Sequence, residues 1–340
     1  MSINLLYNKL DKYYKKISLK KYNYKLIKIK NITLVETHFI PDKIREYIKN
    51  KIKYKYTILY EFKNILIKLT YYSRKTSIRK KIFDNILKRI IFIMLISDTY
   101  INIDIHIYST PFKKKFSCNH SHKCGNLSHI NVNSGLNYGD TIIIFRDEEY
   151  LKLLLHELIH ALNIDNKYET LEDNKKILEI FNINSHNLLI NESYVETWAI
   201  ILNIYFLLKE NNKNSLNTYK LNLKKELVHS LHQCSKLCIY YNINNFNKIY
   251  NSNSKTIYYK DNVNTFSYHI VKTINLYNIK NFLKNFCDKK NILKSNYNYN
   301  LYIKFILKYN KSISNKINLI IKKIKKIKKN DLGSLRMSST

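Results

Sequence analysis

Two histidines four residues apart, with a glutamate beside the first, stand at the centre of Glu148–Asn163, EEYLKLLLHELIHALN. On an α-helix, positions i and i+4 share a face one turn apart, so the imidazoles of His156 and His160 can reach one metal ion. Glu157 then stands next to a water on that ion, where it can act as a general base. Chance makes the pattern scarce. With 11 His and 13 Glu among 340 residues, random order predicts roughly 0.01 matches to its three fixed positions.

Two imidazoles do not complete a catalytic zinc site, which takes three protein ligands and keeps a fourth position for water. Asn191–Ala199, NESYVETWA, begins thirty-one residues after His160 and leads into an apolar stretch, 200 to 208. Glu192 and Glu196 share a helix face at i, i+4, and Ala199 continues the stripe. One carboxylate can ligate zinc; the other can accept a hydrogen bond from a ligand histidine's second ring nitrogen. Spacing alone leaves open which does which. The chain's only two alanines, Ala161 and Ala199, fall one in each segment. Small side chains there predict a close helix crossing, although helix propensity alone would also place alanine in a helix.

HELIHAL followed by NESYVE resembles the gluzincin branch of the zincin metallopeptidases, over roughly residues 141 to 205. The resemblance implies His156, His160 and Glu192 as ligands of one Zn²⁺, Glu157 as the base and Glu196 as the partner of a ligand imidazole. Glu196 departs from the aspartate common at that place. More loosely, the paired motifs look like those of uncharacterised metallopeptidase-like proteins of large cytoplasmic DNA viruses. A polypeptide substrate and zinc-dependent peptide-bond hydrolysis are what the resemblance implies.

The elements that must position these residues are expected to form an α+β fold: predominantly helical, with a small zincin-like sheet packed on the HExxH helix and a second, glutamate-bearing helix. Leu151, Leu153, Leu154, Leu155, Leu158, Ile159 and Leu162 make the first helix apolar almost all round, as for a buried one. Tyr100–Ser109, YINIDIHIYS, alternates in the manner of a strand. Thr141–Phe145, TIIIF, predicts a short strand leading into the metal helix, with Asp147 as its cap. That strand is the candidate edge on which an extended peptide would pair, an interior strand being the alternative. A helix is expected around Leu171–Phe181 and another over Leu221–Tyr241. The expected division is 1–97, a basic and mainly helical region; 98–210, the metal-binding core; 211–330, a basic helical region; and 331–340, a flexible tail.

Net charge is +34, with Lys, Asn, Ile and Tyr abundant and Gly, Pro, Ala and Trp scarce. This is the alphabet of AT-rich codons, so the charge reflects mutational drift before selection for a polyanion. Non-specific contact with nucleic acid or acidic surfaces through lysine-rich stretches is still expected at low salt. Between Asp140 and Glu196, 12 acidic residues face 5 basic ones, against 13 and 54 in the remainder. An acidic core lies within a basic surround.

The opening MSINLLYNKLDKYYKK lacks the apolar core of a secretory signal, and no apolar run approaches a membrane span. Five cysteines without a signal predict reduced thiols in a cytoplasmic setting, the host cytoplasm or a virion if the source is viral. Cys118, His120, His122, Cys124 and His129 cluster in SCNHSHKCGNLSH, but Cys-x5-Cys departs from zinc spacings, so a polar loop is the plainer reading. An oxyanion-stabilising residue is expected among His229, His232, His269 and 30 tyrosines, between which the sequence does not choose. Two other functions compete. A zincin fold without turnover would bind zinc and lose stability with chelator. A basic nucleic-acid-associated factor would bind with steep salt dependence and ignore changes at His156.

Overall fold

The computed structural model describes residues 1–32, 34, 37, 39–116, 126–165, 171–181, 188–250, 264–293, 297–324 and 332–340. The fold is α+β, with one mixed sheet of six strands. Helix α1 (Ile3–Tyr14), strand β1 (Lys25–Lys28) and helix α2 (Asp42–Lys51) come first. Strands β2 (Tyr54–Phe62) and β3 (Ile65–Ser73) then form an antiparallel hairpin. Tyr56, Ile58 and Tyr60 alternate inward along β2, as period-2 patterning requires. The turn is Lys63-Asn64, both with positive φ (50° and 64°), a pair that matches the strand twist of a two-residue hairpin.

Residues 1–97, expected to be mainly helical, thus supply three of the six strands. The sheet also crosses the expected boundary at 97/98. Helix α3 (Lys80–Ser97) carries the chain over to β4 (Ile103–Tyr108), which pairs parallel with β3. Helix α4 (His129–Val132) precedes β5 (Gly135–Tyr138) and β6 (Thr141–Ile144). The order is β1-β2-β3-β4-β6-β5. β6 is therefore interior, parallel to β4 and antiparallel to β5. The edge beside the metal-motif helix is β5, not TIIIF.

The motif helix is α5 (Tyr150–Ala161), followed by α6 (Leu171–Ile180) and α7 (Asn191–Glu210). Then come α8 (Leu216–Tyr240), a 3₁₀ turn at Phe246–Tyr250, a π-helical turn at Phe266–Val271, and α9 (Lys272–Tyr277). Helices α10 (Ile279–Phe286), α11 (Tyr299–Tyr309) and α12 (Ser314–Ile324) follow.

One sheet face carries Ile58, Ile67, Leu69, Ile105, Ile142 and Ile144 into a core shared with α3, α5 and α7. The other face, through Tyr108, Ile143 and Phe145, packs on Ile44 and Ile48 of α2. Helix α5 lies against β5, β6, α3 and α7, with Leu154, Leu155, Leu158 and Ile159 wholly buried. Burying each such side chain favours folding by about 1.5–3 kcal/mol. That is enough to hold a helix carrying two histidines and a glutamate inside the core. Ala161 and Ala199 are both buried in this packing. The segment expected as a flexible tail is packed inside too: Leu332, Leu335, Met337 and Ser338 are all buried.

Candidate metal centre

Helices α5 and α7 pack together so that His156, His160 and Glu192 converge. Nε2 of His156 lies 3.1 Å from Glu192 Oε2 and 3.1 Å from His160 Nε2; His160 Nε2 lies 3.5 Å from the same carboxylate oxygen. Ligands about 2.0–2.1 Å from zinc at tetrahedral angles stand about 3.4 Å apart. The triangle in this chain has that size, and two imidazoles with one carboxylate make a donor set that suits zinc. The residues fit the ion.

The second nitrogen of each ring is held. Nδ1 of His156 lies 3.1 Å from Glu196 Oε2, and Nδ1 of His160 lies 2.8 Å from Asp165 Oδ2. Such contacts fix the tautomer and turn each Nε2 toward the common point. Asp165 is itself oriented by Asn191 Nδ2 at 2.9 Å. Lys152 Nζ donates to the other oxygen of Glu196 at 2.5 Å. Of the two carboxylates that spacing left open, Glu192 points between the imidazoles and Glu196 stands behind His156.

Burial disfavours positive charge on the two rings, but the surrounding carboxylates outweigh it. His156 is raised by Glu192 and Glu196, and His160 is raised further by Glu192 and Asp165. Glu192 is correspondingly well below the usual carboxylate range, because His160 and His156 outweigh its burial. Burial raises Glu157, with the imidazoles partly opposing, so its carboxylate is a stronger base than an exposed one.

Glu157 opens onto a cleft of about 30 Å³ lined by His156, Ser134, Gly135, Tyr268 and Met337, among others. That is room for a water or two. β5 passes close above the base. A Cβ on Gly135 would lie 3.0 Å from Leu153 Cδ2 and from the Ile143 carbonyl oxygen, and 3.3 Å from Glu157 Oε1. Across the cleft, Tyr268 donates its hydroxyl to Glu192 Oε2 at 2.9 Å. The π-helical turn Phe266–Val271 delivers it, a local irregularity common where side chains are re-aimed.

No family profile matches the chain. Over 111 residues it is 29% identical to an uncharacterized protein of Acanthamoeba polyphaga mimivirus, covering 31% of this chain and 28% of that protein. The match therefore spans less than a third of the relative's own length. A viral relative accords with the viral resemblance of the paired motifs and carries no chemistry with it. No solved structure matches.

Asp165, Lys152 and Tyr268 escape sequence reading. Asp165 lies five residues after His160, a spacing with no motif attached, and Tyr268 is one of 30 tyrosines. Lys152 carries a visible signal, a lone charge within a leucine run, which marks a buried partner when the helix is buried on all sides. Asp147 does not cap α5: it accepts from Ser109 Oγ at 2.9 Å, and Glu149 precedes the helix with φ 61°. Cys118, His120, His122 and Cys124 lie outside the described residues; His129 opens α4. His269 is fully buried, and among the described residues its ring nitrogens find no hydrogen-bond partner. Among the described residues no helix is long and apolar enough to cross a membrane.

Proposed function

We propose that this chain hydrolyses peptide bonds with one zinc ion held by His156, His160 and Glu192. The observation that carries the reading is the convergence of three ligand atoms within 4.8 Å of one another beside a buried glutamate. When bound, zinc lowers the pKa of a coordinated water toward 7 and polarises a carbonyl oxygen.

The chain's own residues supply the remaining chemistry. Glu196 and Asp165 hold the ligand imidazoles in one tautomer and orientation. Glu157 removes a proton from the attacking water and returns it to the departing amine; its burial raises its pKa and so favours the uptake. The Tyr268 hydroxyl, lining the same cleft, can turn from Glu192 to the oxyanion that develops on the scissile carbonyl. A peptide is favoured as substrate because β5 is an edge strand whose first residue touches the base. Its outer backbone groups can pair with an extended chain and set a carbonyl near Glu157. The narrow cleft then admits the reacting group while the rest of the peptide stays outside.

Metal content tests the reading. The purified chain, equilibrated with zinc and passed through a desalting column, is expected to retain one zinc per molecule by elemental analysis. His160→Ala is expected to retain almost none while keeping its far-UV circular dichroism. Equal zinc in both proteins would overturn the ligand assignment.

A further inference from the structure

Residues 332–340 pack beside the metal centre, with Leu332, Leu335, Met337 and Ser338 buried. Ser334 bridges antiparallel to Lys115. The Phe116 amide donates to the Gly333 carbonyl at 3.2 Å, and the Leu335 amide to the Lys114 carbonyl at 3.1 Å. Beyond this, the segment meets two buried carboxylates instead of another strand. The Ser338 and Met337 amides donate to the two oxygens of Glu149, at 2.7 and 3.4 Å. The Ser338 hydroxyl and the Ser339 amide donate to Glu226 at 3.1 and 2.9 Å. Lys272 Nζ donates to the Met337 carbonyl at 2.7 Å. The Met337 side chain reaches the wall of the catalytic cleft.

Glu149 is the link inward. It is the residue before α5, it has a left-handed backbone at φ 61°, and its side chain makes no capping bond to the helix. A non-glycine residue keeps such a backbone only where its surroundings over-determine it. Those surroundings are Lys114 at 3.1 Å, Lys152 at 3.9 Å and the two amides of the strap. Lys152 bonds Glu196, and Glu196 holds Nδ1 of His156. An unbroken run of buried contacts therefore leads from the Ser338 amide to a proposed metal ligand, over four side chains.

We infer that segment 332–340 is a positioning strap for the metal centre: its docking fixes Glu149, and Glu149, through Lys152 and Glu196, sets the place of the His156 ring. The inference rests on the zinc reading above. A docked strap gives a preformed donor triangle. A released strap leaves Glu149 without its amide donors, frees Lys152 to shift toward it, and loosens Glu196 behind the imidazole. Metal affinity thereby becomes dependent on a segment that contributes no ligand. Met337, set in the cleft wall, would also leave with the strap and widen the cleft.

Cobalt binding by the full-length chain tests this, because Co²⁺ in a zinc site reports its ligand geometry in the visible spectrum. Leu335→Asp places a charge in the fully buried seat of the strap and should release it, which trypsin reports as faster cleavage after Arg336. The expected result is at least about a 10-fold loss of Co²⁺ affinity with an altered spectrum, the size seen when the support of a metal ligand is removed. Leu335→Met should restore both, and the metal-free circular dichroism should stay unchanged. If Leu335→Asp does not fold, Glu149→Gln decides, with the same loss expected. Unchanged affinity and spectrum in a variant whose strap is released, or in Glu149→Gln when that variant decides, overturns the strap and leaves the zinc reading intact. Absence of Co²⁺ and Zn²⁺ binding by the unmodified chain would overturn both.

Discussion

Two buried polar clusters lie side by side in this molecule and are built on opposite principles. One holds Lys114, Lys152 and Lys272 with Glu149, Glu196 and Glu226, three ammonium groups against three carboxylates, all buried. The other holds His156 and His160 with Glu157, Glu192 and Asp165. No lysine or arginine forms an ion pair with those three carboxylates among the described residues. The first cluster is balanced: three positive groups stand among three negative ones. The second has an excess of electron-pair donors around a point that carries no charge of its own. Buried anions without counter-charge are costly, which supports the proposal that a cation completes this arrangement. Balance marks the support and imbalance marks the site.

The comparison breaks most visibly at the base. Glu157→Gln should lower the hydrolysis rate by about 10³-fold, within the range for loss of a general base, while zinc content is unchanged. A variant that keeps full activity on a quenched peptide library would show that Glu157 is not the base. In the balanced cluster the effect is on stability. Lys152→Met leaves Glu149 and Glu196 sharing fewer cations and should destabilise the chain by about 3–5 kcal/mol, read from the urea midpoint. A loss no larger than that of an exposed lysine would mean that the cluster's neutrality is not what holds it.

Acid titration sharpens the same contrast. Burial pushes Glu149 up, but Lys114 and Lys152 outweigh it and bring it down to about 2. A carboxyl depressed on folding contributes stability that is present above its unfolded value, about 4.3, and is lost as pH falls toward 2. The contribution is on the order of 3 kcal/mol. The stability gap between the unmodified chain and Glu149→Gln should therefore narrow between about pH 4.3 and 2; a gap that stays constant would refute this. The smallest effect is expected at the cleft wall. Tyr268→Phe should reduce kcat by about 10²-fold, the loss of one oxyanion donor. An unchanged kcat would remove Tyr268 from the mechanism.

What the sequence disclosed follows from where its signals are local. The α5 and α7 motifs and the strand near Ile103–Ile107 rest on periodicity within one element, and each appears as expected. The β2–β3 hairpin was hidden because Lys63-Asn64 forms its turn in place of the glycine-containing pair that usually announces one. TIIIF was legible as a strand, but its interior position depends on β5, four residues long and weakly patterned. Asp165, Tyr268 and the strap at 332–340 depend on contacts across the fold, which periodicity cannot see. Drift toward lysine and asparagine also blurs the usual contrast between surface and core, so the burial of Lys114 does not show in its residue type.

Gly135 gives the molecule a built-in gauge. A methyl group in place of its hydrogen would press on the Ile143 carbonyl and Leu153 and crowd Glu157 Oε1, the oxygen that the proposed mechanism sets against the attacking water. Attempts to alter the substrate of the proposed peptidase should leave Gly135 alone and vary the other end of β5, where Tyr138 is exposed.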